Sequence, residues 1–125
     1  MVYLQKANMR PDIKTEKAEN FAVRIVSLYR LLLHEKQETV MSKQLLRAGT
    51  SVGANITEAN FAESRADFIH KLGIAQKECA ETAYWLKLLY RCGYINHIQY
   101  GSFVNEAYEL LKILSAIITK LKARQ

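Results

Sequence analysis

The feature that most restricts this chain is an apolar recurrence every three or four residues, interrupted at three places by short polar connections. Ala18, Phe21, Ala22, Ile25, Leu28, Tyr29, Leu32 and Leu33 form the first run. Such spacing gathers side chains on one stripe of a helix, whereas a strand would scatter them over both faces. Leu45, Ala48, Gly49, Val52, Ile56 and Ala59 form the second run. Phe68, Leu72, Ala75, Cys79, Thr82, Ala83, Leu86 and Leu89 form the third, and Val104, Ala107, Leu111, Leu114, Ile118 and Leu121 the fourth. Five glycines and one proline in 125 residues leave these helices long.

Polar residues punctuate the runs. Asp12 or Thr15 can open the first helix, and the His34 to Glu38 segment closes it. Thr39 or Ser42 can open the second. Ser64 with Asp67 resembles a capping box for the third, and Gly93 supplies a left-handed residue at its end. Asn96 with Gln99 caps the fourth. The spacing predicts an arm over 1–11 and helices over about 13–36, 41–60, 65–92 and 97–123. Connections this short make neighbouring helices antiparallel, so the expected fold is all-α: a single-domain, up-down-up-down four-helix bundle.

Two of these helices hold more apolar surface than one core uses. Ile74, Trp85 and Leu88 lie off the Phe68–Leu86 stripe, and Leu110, Ile113 and Ile117 widen the arc of the last helix. A lone soluble copy rarely exposes such surface, which points to self-association through these six residues. A membrane-surface helix is the lesser alternative, prompted by Lys120, Lys122 and Arg124 at the end of the last run. No stretch reaches the ~20 apolar residues of a membrane span, and Lys6 and Arg10 interrupt the one N-terminal apolar segment. The expected compartment is the cytoplasm. Cys79 and Cys92 stand roughly 20 Å apart on one helix, too far for a disulfide, which suits reduced thiols.

The segment "SVGANITEAN" places Gly49 and Gly53 four residues apart. Gly53 is followed by Ala54 and Asn55, not Lys and Ser or Thr, so it is not a phosphate loop. Each helical glycine costs about 1 kcal/mol relative to alanine, a loss tolerated where a second backbone comes close. Ser51, Asn55 and Glu58, with Arg47, project to one flank of this helix; Glu78, Glu81 and Asp67 hold a comparable flank of the next, near Trp85. A polar border is the simplest reading. A two-metal carboxylate site would need Glu-x-x-His twice, and only Asp67-x-x-His70 approaches that spacing. Neither C-x-x-C nor G-x-S-x-G occurs. The expectation is a non-enzyme with no metal and no cofactor.

Ser51-Val52, Asn55-Ile56-x-Glu58, Ser64, Phe68, Ile74-Ala75, Glu78, Glu81 and Leu-Tyr-Arg-Cys-Gly-Tyr-Ile at 89–95 together resemble the small four-helix-bundle family encoded in intervening sequences of bacterial large-subunit ribosomal RNA genes. The resemblance covers the second and third helices, with Gly53 inside its motif, and departs at Asn60, where the family usually carries glycine. It implies a non-catalytic bundle assembled as a ring-like homopentamer. It also implies a fold shared with the accessory proteins of diversity-generating retroelements, which bind nucleic acid and a reverse transcriptase. Lys and Arg exceed Asp and Glu by 18 to 12, a formal net charge of +6. That balance suits RNA or DNA as a partner, with Arg10, Lys14, Lys17, Arg24, Arg30, Lys120, Lys122 and Arg124 as candidate phosphate contacts. The alternative partner is another protein, the charge then serving solubility.

Overall fold

The computed structural model describes residues 12–124, so the arm over 1–11, Arg10 included, lies outside the described residues. Four helices follow in order: α1 (Ile13–His34), α2 (Met41–Asn60), α3 (Arg65–Arg91) and α4 (His97–Ala123). They form an antiparallel bundle in which α1 packs on α2, α2 on α3 and α3 on α4, while α1 and α4 touch sparingly. Phe21, Ile25, Leu32, Leu45, Ile56, Leu72, Leu86, Leu89, Leu110 and Leu114 fill the solvent-free centre.

The stripes predicted for α2 and α3 are buried throughout. On α4 the stripe is rotated. Phe103, Val104, Ala107, Leu110, Leu114 and Ile118 are buried, whereas Leu111 and Leu121 are only partly so. Leu110, expected at an oligomer interface, is 1% exposed and belongs to the subunit's own core. Apolar residues cover so much of α4's circumference that periodicity alone does not locate the centre of its buried face.

The helix ends show which punctuation acts. Ser64 Oγ accepts from Asp67 N–H, and Asn96 and Gln99 make a reciprocal capping box. At the end of α3, Gly93 has φ +85°; its N–H donates to the Tyr90 carbonyl and that of Tyr94 to the Leu89 carbonyl. These two hydrogen bonds make a Schellman closure, which favours glycine at the left-handed position. At α2 neither Thr39 nor Ser42 caps. The Glu38 carboxylate reaches forward instead and accepts from the N–H groups of Val40, Met41 and Ser42 at 2.7–3.1 Å. Gln37 turns the chain ahead of it with φ +55°.

Of the two α2 glycines, Gly49 is the tighter, and what it lies against is a side chain, not the backbone expected. A Cβ there would stand 2.8 Å from Ile25 Cγ2, while one at Gly53 would meet the Ala18 backbone at an ordinary 3.6 Å.

Candidate functional site

The polar residues among those that carry the resemblance, Ser51, Asn55, Glu58, Glu78 and Glu81, line the outer seam between α2 and α3. Arg47 of α2 reaches the Glu78 carboxylate at 3.2 Å and also pairs with Glu81, both on α3. Glu81 in turn accepts from Trp85 Nε1 at 3.0 Å. Further along, Lys71 pairs with Glu58 at 2.9 Å. Ser51 and Asn55 sit between these bridges, and each donates to a backbone carbonyl one turn earlier: Ser51 to Arg47, Asn55 to Ser51. This is the polar border expected from the sequence, and its charges are spent on one another. Hydrogen bonds from Trp85 and then Arg47 hold the Glu81 carboxyl below the usual glutamate range. Its bond to Glu81 raises the Arg47 pKa above the ordinary arginine value, so the bridge stays charged at any physiological pH. Phe68 is buried beneath, and Ser64 is committed to the α3 cap.

Trp85 packs against the core from this seam, and Ile74 and Leu88 are partly exposed. Ile74 precedes Glu78 by four residues and Leu88 follows Glu81 by seven, so both share that flank of α3. Ile113 and Ile117 lie elsewhere. They follow Glu106 by seven and eleven residues on α4, and Glu106 pairs with Arg24 of α1. These four partly exposed apolar residues therefore fall in two pairs, on opposite seams of the bundle.

That second seam consumes several of the expected phosphate contacts. Arg24 pairs with Glu106, donates to Ser102 Oγ at 3.0 Å, and stacks 4.1 Å from the Phe103 ring centre. Lys17 pairs with Glu109. Lys14 is the clearest correction. It is 8% exposed, paired with Asp12 and donating to Asn60 Oδ1 at 3.2 Å, so it faces no phosphate. Asn60, the residue that departs from the family pattern, also donates to Thr15 Oγ1 at 3.0 Å and thereby ties α2's end to α1's start. Burial works to raise the Asp12 pKa, but hydrogen bonds from Lys14 and Thr15 and the Lys14 charge outweigh it and leave a net lowering. Arg30, Lys120, Lys122 and Arg124 are exposed.

Among the described residues no group of three or more His, Cys, Asp and Glu is placed to hold a metal. Cys79 is buried and Cys92 exposed, and burial pushes the Cys79 thiol up to about 12. No helix of the described residues is long and apolar enough to cross a membrane.

Comparison with known proteins agrees with this architecture. A solved structure from Bacteroides thetaiotaomicron, described as a protein with unknown function from the S23 ribosomal protein family, is 56% identical and superposes with a TM-score of 0.85. The match covers 86% of this chain and 96% of that one. No curated protein matches the sequence. The family described as 23S rRNA-intervening sequence protein matches residues 13–116. With its four helices, its α2–α3 seam and that match over most of its length, this chain belongs to the 23S rRNA-intervening sequence protein family.

Proposed function

We propose that the chain is a non-catalytic, cytoplasmic homo-oligomer, a ring of five, that binds structured RNA or DNA through basic surfaces. The observation that carries the assembly is the placement of its half-exposed apolar strips: Ile74 and Leu88 beside the α2–α3 seam, Ile113 and Ile117 beside the α1–α4 seam. An isologous dimer presents one patch to its own copy. A head-to-tail ring needs two different faces on opposite sides of each copy, and these strips supply them.

Nucleic-acid binding rests on the +6 charge of each chain. Five copies carry about +30, a field that concentrates a polyanion at the ring. The test is affinity for a structured RNA measured against salt. Released counterions make such binding fall steeply as salt rises, and an affinity independent of salt overturns the reading. A protein-interaction scaffold is the second reading, favoured by the exposed Phe61, Tyr84 and Tyr108 rings. A protein partner retained through nuclease treatment supports that scaffold.

A further inference from the structure

The bundle end where α1 passes into α2 and α3 into α4 carries charge of nearly one sign. Arg30, Lys36, Lys43, Lys87 and Arg91 are all exposed there, and none makes an ion pair with a described residue. Between Thr82 and Asn105 the chain has no Asp or Glu, and between Lys36 and Thr57 its single acid is Glu38. Glu38 is buried, its carboxylate consumed by three backbone N–H groups, which leaves Glu35 as the exposed acid of this end. The opposite end is mixed: Glu16 and Glu63 stand exposed there along with Lys120, Lys122 and Arg124.

Helix dipoles account for part of this pattern, because cations at the C-terminal ends of α1 and α3 complement the carbonyl ends. They do not account for Lys43. It occupies the first turn of α2, where a positive charge opposes the dipole. The surface is also preformed. The Gly93 closure and the Asn96 box fix the α3–α4 connection, and Tyr90 stacks on Tyr100 with ring centres 4.8 Å apart and planes 6° apart. The exposed apolar residues here, Val40 and Ile98, are isolated rather than a face, which suits phosphates in water better than a lipid surface.

We propose that this end, through Arg30, Lys36, Lys43, Lys87 and Arg91, is the surface that engages nucleic-acid phosphates, in place of the cations near the chain termini. The proposal rests on the nucleic-acid reading above. The experiment measures fluorescence anisotropy of a labelled RNA hairpin with the full-length protein over a salt series. Three proteins are compared: wild type, a Lys36→Gln, Lys43→Gln, Lys87→Gln, Arg91→Gln variant, and a Lys120→Gln, Lys122→Gln, Arg124→Gln variant. Expected is a loss of about tenfold or more at low salt in the first variant, with a log–log salt slope shallower by up to about 4, and near-wild-type binding in the second. Because these side chains hold no ion pair, both variants keep the wild-type circular dichroism and stay folded at the assay temperature, the helix-end charges shifting the melting temperature only slightly. If the wild type binds and the first variant matches it, this surface is wrong and the nucleic-acid reading stands. If the wild type does not bind RNA, or binds only vesicles containing phosphatidylserine, both fall.

Discussion

Gly49 of α2 lies directly against Ile25 of α1: a methyl added at Gly49 would come within 2.8 Å of Cγ2 and 2.9 Å of Cγ1. Ile25 is fully buried and has nowhere to retreat. Gly49→Ala gains about 1 kcal/mol of helix propensity but meets overpacking of roughly 1–3 kcal/mol, so the net effect is destabilising. Gly53→Ala gains the propensity without the clash and raises the melting temperature. Thermal unfolding of the two variants side by side checks this, and a stabilised Gly49→Ala refutes the close approach.

Glu38→Ala removes the acceptor for three N–H groups at the start of α2. Loss of a cap costs about 1 kcal/mol at neutral pH. Burial works to raise the Glu38 pKa, but the bonds from Ser42, Met41 and Val40 prevail and lower it. A carboxylate with a lowered folded-state pKa contributes stability that is complete above its unfolded pKa and lost as pH falls through the folded value. Denaturant curves of wild type and variant therefore converge in acid and separate at neutrality. A gap independent of pH contradicts the ionised cap.

Asp12→Ala leaves Lys14 buried with Asn60 as its remaining side-chain hydrogen-bond acceptor. An under-satisfied buried charge costs roughly 1–3 kcal/mol. Adding Lys14→Met removes that charge, and the double variant regains most of the loss. No recovery in a double-mutant cycle means that Asp12 acts through Thr15 instead.

Ile74→Glu places a carboxylate on a half-exposed strip outside the core, so light scattering shows a smaller particle whose helicity is unchanged. Trp85→Ala also dissociates the assembly but loses stability besides, because Trp85 packs against the core. Wild-type mass in both variants puts the interface on another face.

In the native protein one thiol, Cys92, reacts with a thiol reagent at neutral pH, while Cys79 reacts only after denaturation. Its thiol, pushed up to about 12 by burial, supplies almost no thiolate. Two fast-reacting thiols in the folded state would place Cys79 at the surface.

How far the fold was legible varied with the contrast along each helix. On α3 the stripe from Phe68 to Leu89 is rich in small residues that recur in strict helical register, and it is buried as expected although Ile74, Trp85 and Leu88 add apolar surface beside it. On α4, Leu110, Leu111, Ile113, Leu114, Ile117 and Ile118 leave no polar gap to mark the edge, and Leu110 was placed outside a core that it fills. Ser64 and Asn96 announced their caps because their side chains act within one turn. Glu38 did not, since a carboxylate reaching past Thr39 and Val40 has no fixed sequence signature. Lys14 read as a surface cation because Asn60, which helps bury it, is remote in sequence and joined to it only by the fold. Of the free cations at the α1–α2 and α3–α4 end, only Arg30 stands among the contacts expected from the sequence. These cations are dispersed along the chain, and only the antiparallel path collects them.

The sparing contact between α1 and α4 has a kinetic consequence. Every extensive helix pairing joins segments adjacent in the chain, so each can zip up across a loop of a few residues before the first and last helices meet. Low contact order of this kind favours folding in microseconds to milliseconds. On that order the first helix closes on the last at the end, where Arg24 pairs with Glu106 and Lys17 with Glu109.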